Sequence, residues 1–389
     1  MTTHAPKLFT DAPGPARGER VVVGLSGGVD SAVTTLMLAE TGCEVVAVTT
    51  RNFCFGSGRL PAYGPSDLTA SCCSQEAVDA SAELSADLGI QHVVLDVADA
   101  FERAVIDDYV DEYRAGHTPS PCVRCNTQVR FPELLAFADR IGASRVATGH
   151  YARIVQHEGE RFVARGRDLS KDQSYFLFRL PSARLERTLM PLGEHTKDEV
   201  RALARRHGLP VADAPESQEL CFVPDGDRSR LLAADAEPGE IVDLDGNVLG
   251  THDGVEFFTV GQRKGLGLGG GPTRFVVAID GPTRRVIVGP EDALGHDALT
   301  LDEGVWRDPG DGVDDLIVRT RYRHPGLPVS ALDFDAHGTP CAVRLTETDR
   351  APAVGQAAVF YRDDVVVGGG RLAGVARRSV SSSSVEASQ

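Results

Sequence analysis

The chain has no run of about 18 uncharged apolar residues, the length a helix needs to cross a bilayer, and this excludes membrane-spanning helices. Its opening residues, MTTHAPKLFTDAPGPARGER, lack the apolar core of a secretory signal and read as a flexible leader over residues 1–18. The expected compartment is the cytoplasm. Positive charge is also scarce: 40 Lys and Arg against 56 Asp and Glu leave a net charge of −16. That excludes a chain-wide basic footprint for nucleic acid, but not a local basic patch. No internal repeat is found.

What is present is an ordinary globular composition, 42% hydrophobic and 25% charged, with 41 glycines that imply many turns. A length of 389 residues implies two or three domains. Eight cysteines in a reducing compartment read as chemistry or metal ligation before disulfides.

The first half alternates strands and helices. Strands are expected over 21–25, 44–50, 92–97 and 145–148, and helices over 74–88, 100–113 and 132–141. A further helix follows Ser31, with Ala32, Val33, Leu36, Met37 and Ala39 on one side. This alternation means a parallel sheet wrapped by helices. Thr196-Lys197-Asp198-Glu199 is a capping box that opens another helix. Beyond about residue 215 helical periodicity fades into short β-rich runs, among them 240–244, 255–260, 275–279, 285–288, 316–322, 342–345, 357–361 and 365–367. These are expected to form small β modules that include a barrel. The serine-rich tail, 379–389, reads as disordered.

Between the first strand and the first helix lies Gly24-Leu25-Ser26-Gly27-Gly28-Val29-Asp30-Ser31. Two glycines let the backbone approach an anion closely, two serines add hydroxyls, and the helix N-terminus supplies free N–H groups. The loop lacks the lysine of G-x-x-x-x-G-K-[ST], and it is not G-x-G-x-x-G. A tight turn with an Asp N-cap is the alternative reading. On these residues the loop resembles the PP-loop ATP pyrophosphatase superfamily, whose SGGxDS loop binds the pyrophosphate released as ATP adenylates a substrate. The resemblance implies ATP and Mg²⁺, with Asp30 as a metal ligand.

Further motifs follow in order: Ser120-Pro121-Cys122-Val123-Arg124-Cys125-Asn126, GHYAR at 149–153, DLSKDQSYFL at 168–177, ESQELCFVPDG at 216–226 and TVGQRKGLGL at 259–268. Together they resemble the bacterial tRNA-specific 2-thiouridylase (MnmA) family over about residues 20–375. The fold this implies is α/β: a parallel-sheet PP-loop domain over 19–214, a small central β-rich tRNA-binding domain over 215–290 and a C-terminal β-barrel over 291–378. The activity it implies is adenylation of the C2 oxygen of a wobble uridine, followed by sulfur transfer to give 2-thiouridine, AMP and pyrophosphate. The partners implied are a tRNA with a wobble uridine and a sulfur donor (a persulfide relay protein, a cysteine desulfurase or sulfide), with the enzyme a monomer.

Carried over residue by residue, the resemblance makes Cys125 and Cys221 catalytic. In the persulfide account Cys221 carries the incoming sulfur, and Cys125 attacks it to release sulfide or close a disulfide. Gly24, Leu25, Ser26, Gly27, Gly28, Val29, Asp30, Ser31, Thr50 and Gly149 would bind ATP. Ser120, Pro121, Cys122, Lys171, Asp172, Gln173, Arg321 and Tyr322 would meet tRNA, and Arg263 and Lys264 would add backbone contacts. The chain departs from the commonest family pattern by having Cys122 where many members have Asp. Cys122, Cys125 and Cys221 could then hold a [4Fe–4S] cluster with one open iron, while structural zinc and a redox C-x-x-C pair remain alternatives. Cys54, Cys72 and Cys73 read as structural or incidental, and Cys43 and Cys341 as core.

Overall fold

The structure, a computed structural model, describes residues 10–53, 60, 75–214, 220–223, 226–233, 236–269, 271–310 and 312–376. Strand β1 (Thr10–Asp11) is a short piece; the first sheet begins with β2 (Arg20–Gly24), whose valines 21–23 are 0% exposed. A strand so apolar needs cover on both faces, which a parallel sheet with flanking helices provides. The chain continues through α1 (Val29–Glu40), β3 (Glu44–Arg51), α2 (Gln75–Asp87) and β4 (Gln91–Asp96), then α3 (Phe131–Ile141) and β5 (Arg145–Ala147). After β6 (Ala152–His157) and β7 (Glu160–Arg165), β8 (Thr188–Leu189) completes this sheet in the order β4-β3-β2-β5-β8, with every pairing parallel. Strand order therefore reverses between β2 and β5. In such sheets the crevice at the carboxyl ends of the two diverging strands is the natural ligand site.

The capping box forms as read: Thr196 accepts from Glu199 N, and the Glu199 side chain returns to Thr196 N, opening α4 (Lys197–Arg206). The helical segment from Ala98 to Arg114 and the one from Pro121 to Ile141 each contain a π-helical stretch, Glu102–Ile106 and Cys125–Arg130. Such wide turns recur at functional sites.

The middle region holds a four-stranded sheet, β10-β9-β12-β11, from β9 (Gly239–Val242), β10 (Val248–His252), β11 (Phe275–Asp280) and β12 (Arg285–Gly289). The remainder is β13 (Gly295–Trp306), β14 (Leu316–Arg319), β15 (Leu327–Phe334), β16 (Pro340–Arg350), β17 (Ala357–Arg362) and β18 (Val365–Ala376). Their order β18-β13-β16-β15-β14-β17 closes through a β17–β18 pairing into the expected barrel. It docks on the first domain tightly enough that a Cβ on Gly369 would lie 2.6 Å from the Phe178 ring.

Two expectations are corrected. The leader is not free over its described part: Thr10 and Asp11 pair with β6, and Arg145 donates to the carbonyls of Pro13 and Gly14. The run 255–260 is no strand but a 3₁₀ turn, Val255–Phe257, that buries Val255 and Glu256. The hairpin β6–β7 was not foreseen. It extends the barrel's sheet through Val365 and Ala164, a pairing between residues 201 positions apart that no local pattern announces.

Candidate functional site

At the β2–β5 crevice the loop after β2 is preorganised by its own side chains. Ser31 Oγ accepts from Ser26 N at 3.0 Å, donates to Gly28 O at 3.0 Å and lies 3.2 Å from Ser26 Oγ. Gly27 has φ +75°, and a Cβ there would lie 2.8 Å from Ala77 O, so both backbone and space demand glycine. Gly149, at the end of β5, packs on the backbone of the loop: its Cβ would lie 3.0 Å from the Asp30 carbonyl carbon. Leu25 and Val29 are buried, which leaves their backbone alone for a ligand. Thr50, half-buried near the end of β3, stands beside Thr49, whose hydroxyl is 2.8 Å from Leu25 O.

The lysine that the loop lacks in sequence arrives from α4. Lys197 Nζ donates to both oxygens of Asp30, at 2.7 and 2.8 Å, and Tyr151 Oη donates to Asp30 Oδ1 at 2.7 Å. Lys197 is 8% exposed, and its position at the start of the helix had been read only as part of a cap. Asp30 therefore already faces a cation and a phenol. It does not offer the open oxygen ligands that Mg²⁺ wants, so the expected metal role does not fit.

The second half of the site centres on the C-x-x-C segment. Cys122 is exposed, yet desolvation by the surrounding protein pushes its thiol up to about 11; Cys125 adds to the shift and Arg130 opposes it. Cys125 is buried and Cys221 half-buried, and both pack in one apolar cluster with Phe101, Tyr109 and Phe222. Among the described residues no three Cys, His, Asp or Glu side chains come together to hold a metal. The [4Fe–4S] reading of Cys122, Cys125 and Cys221 therefore does not fit this arrangement.

Arg130, at the end of the Cys125–Arg130 turn, links the two halves. Its Nη1 donates to Asn126 Oδ1 at 3.0 Å and stands 3.4 Å from His150 Nε2, while Thr148 Oγ1 and His150 Nδ1 are 2.8 Å apart. Burial, then the Arg130 charge, hold the His150 imidazole down to about 3, so it stays neutral. With Arg130 as donor, Nε2 accepts and the proton rests on Nδ1. Neither Arg130 nor His150 stands among the expected site residues. GHYAR could have pointed to His150, through its place directly after a sheet strand, but Arg130 lies outside that motif.

The barrel supplies the other wall. Tyr322 packs on Phe176 with ring centroids 4.5 Å apart, and burial raises its phenol, to which Cys122 contributes as a neighbour. Arg321 donates to Arg350 O at 2.7 Å with its side chain 43% exposed. The Ser120 loop is held from the barrel side, with Gln356 Nε2 3.0 Å from the carbonyls of both Thr118 and Pro119.

Other expected tRNA contacts fare unevenly. Ser120, Lys171 and Gln173 are partly exposed, and Pro121 is buried at the first position of a helical turn. Asp172 is 2% exposed and accepts from Arg165, Gly166, Ser174 and Arg319, so it is a structural hub and not an RNA contact. Arg263 and Lys264 are exposed on the middle domain's glycine-rich turn. Cys43 is half-buried at the edge of the core, packed against the cluster of Val21, Val23 and Leu38 and beside the Thr41 hydroxyl, whereas Cys341 is half-buried beside Asp333 O and outside the core. Cys54, Cys72 and Cys73 lie outside the described residues.

Comparison with known families gives three consecutive matches. Residues 19–225 match the family described as tRNA methyl transferase HUP domain, 232–290 the tRNA methyl transferase PRC-barrel domain and 296–372 the aminomethyltransferase beta-barrel domain. The tRNA-specific 2-thiouridylase MnmA of Acidithiobacillus ferrooxidans is 43% identical over 364 residues, 92% of this chain and 99% of that protein. The protein of the same name from Rhodospirillum centenum is 44% identical over 377 residues, 93% of each chain. Among solved structures, a 4-thiouridine synthetase–RNA complex with bound ATP resembles 53% of the chain and 46% of its own, at 18% identity and a TM-score of 0.32, too remote to argue from.

Proposed function

The chain belongs to the tRNA-specific 2-thiouridylase family, and from that premise we propose that it uses ATP to adenylate the C2 oxygen of a tRNA wobble uridine and then replaces that oxygen with sulfur. One observation carries the reading. Gly149 packs on the phosphate loop, and the next residue, His150, holds Arg130, which acts on the Cys122 thiol. A nucleotide site and a thiol site thus share one short bridge.

The uracil C2 oxygen is a poor leaving group, and adenylation turns it into part of AMP. Backbone N–H groups at the start of α1 and the Ser26 and Ser31 hydroxyls receive the departing pyrophosphate. Lys197, held ready by Asp30, supplies the positive charge that the loop itself lacks. Sulfur arrives from a donor as a persulfide on Cys221. Its terminal sulfur attacks C2 and AMP leaves. The Cys125 thiolate then attacks Cys221 Sγ, so that a Cys125–Cys221 disulfide forms and the sulfur stays on C2. Two reducing equivalents from an external thiol reopen the disulfide. No step runs through an iron–sulfur cluster or through a metal on Asp30.

The matched domain descriptions speak of methyl transfer, whereas the named relatives are thiouridylases. A phosphate loop beside thiols serves the second chemistry and gives the first no purpose. The test is to incubate the protein with an unmodified tRNA transcript, ATP and a persulfide donor, then digest the RNA and weigh its nucleosides. The expected product is 2-thiouridine at the wobble position, with AMP and pyrophosphate formed in step. ATP-independent methylation of the transcript from S-adenosylmethionine, with no sulfur gained, would overturn the reading.

A further inference from the structure

Asp172 stands where two networks meet. On the nucleotide side, its neighbour Gln173 is doubly bonded to Tyr151: Tyr151 N donates to Gln173 Oε1 at 3.0 Å, and Gln173 N donates to Tyr151 O at 2.9 Å. Tyr151 in turn donates its phenol to Asp30 of the phosphate loop at 2.7 Å. On the barrel side, Asp172 Oδ2 accepts from Arg319 Nη1 at 3.1 Å, with side chains 1% and 7% exposed. Arg319 spends its other donors on the backbone of the turn that follows, Nε on His324 O at 2.7 Å and Nη2 on Tyr322 O. One buried carboxylate therefore helps to fix both the segment that braces the phosphate loop and the turn that presents Arg321 and Tyr322.

The chemistry of this hub is telling. Arg165 also pairs with Asp172 at 3.2 Å, so two guanidinium groups converge on one carboxylate. Burying such charges is costly, and an apolar contact would join two domains at least as firmly. What a buried ion pair adds is dependence on exact alignment, because displacing one partner strands the other. An adenylating enzyme also needs such dependence, since a phosphate loop that acts without a seated base wastes ATP.

We propose that Asp172 and Arg319 are positioning residues that couple engagement of RNA at the 319–324 turn to the state of the phosphate loop, so that each ligand strengthens the binding of the other. The proposal rests on the function given above. RNA that moves Tyr322 pulls on Arg319 through its bond to the Tyr322 carbonyl. Arg319 shifts Asp172, and the adjoining Gln173–Tyr151 pair shifts the phenol on Asp30. Because coupling free energy is reciprocal, the effect can be read from either ligand.

The experiment measures the affinity of the full-length protein for an unmodified tRNA transcript with and without α,β-methylene-ATP, which cannot release pyrophosphate. In the wild type the nucleotide is expected to tighten RNA binding at least about fivefold, the lower end of ordinary allosteric coupling. Arg319→Lys keeps a cation for Asp172 but cannot also reach both carbonyls of the turn. It should bind the nucleotide alone as the wild type does, melt at a similar temperature, bind RNA alone somewhat more weakly because the turn is held less firmly, and show a ratio near one. Asp172→Asn should do the same if it folds, and Arg319→Lys decides the matter if it does not. A wild-type ratio in Arg319→Lys, or equal weakening of both single-ligand affinities, overturns the coupling, as does a wild type that thiolates RNA yet shows a ratio of one. A wild type that forms no 2-thiouridine sinks the functional reading itself.

Discussion

The nucleotide end and the thiol end of this site are assembled by opposite routes. The loop at residues 24–31 is contiguous, is braced by its own hydroxyls and belongs wholly to the first domain. The thiol end draws Cys122 and Cys125 from one segment, Cys221 from another nearly a hundred residues on, and Tyr322 from the barrel. The first is completed within one domain, where Gly149, Tyr151 and Lys197 close on the loop; the second takes Tyr322 from the docked barrel. An enzyme divided in this way can keep its ATP chemistry constant and place the acceptor with parts from elsewhere.

The sharpest way to break this contrast is at Lys197, the distant residue that brings a positive charge to the nucleotide end. Lys197→Met should cut pyrophosphate release at saturating tRNA by about a hundredfold or more, the usual loss on removing an electrostatic donor. A fall of less than fivefold would mean that the loop works without its borrowed cation and is fully local. Tyr322→Ala probes the other end. It should raise the KM for tRNA by roughly tenfold, as the loss of one stacking partner does, and leave the affinity of the RNA-free protein for ATP unchanged. A comparable loss of ATP affinity in the RNA-free protein would mean that the two ends are not separable by ligand.

A smaller effect tests the bridge between them. His150 stays neutral in the folded protein down to about 3, against an ordinary value of 6.5. As pH falls below 6.5 the unfolded chain takes up this proton first, so the native state loses stability between about 6.5 and 3. Replacing His150 with Asn removes that proton uptake. The gap between urea midpoints at pH 7 and pH 4.5 should therefore be narrower in His150→Asn than in the wild type. Equal gaps would show that His150 is not held neutral.

The same division decided what the sequence could disclose. The phosphate loop, the parallel sheet and the capping box of α4 depend on neighbours a few residues away, so composition and spacing revealed them. Lys197 was visible as a helix start but not as the partner of Asp30, because that pairing joins residues 167 positions apart. The hairpin β6–β7 escaped for the same reason, since its pairing partner is β18. Asp172 was misjudged because a motif fixes where a residue stands in the chain and not which way its carboxylate faces; Arg165 and the buried Arg319 claim it. The three cysteines were grouped by residue type, yet the fold gathers Cys125 and Cys221 in apolar packing and leaves Cys122 exposed outside that cluster.

The most direct test of the central claim is a single turnover of Cys125→Ser with unmodified tRNA, ATP and a persulfide donor, following pyrophosphate and 2-thiouridine together. Activation at one end and sulfur delivery at the other predict a pyrophosphate burst of wild-type amplitude with no 2-thiouridine. Loss of the burst along with the product, or 2-thiouridine at the wild-type level, would contradict the account.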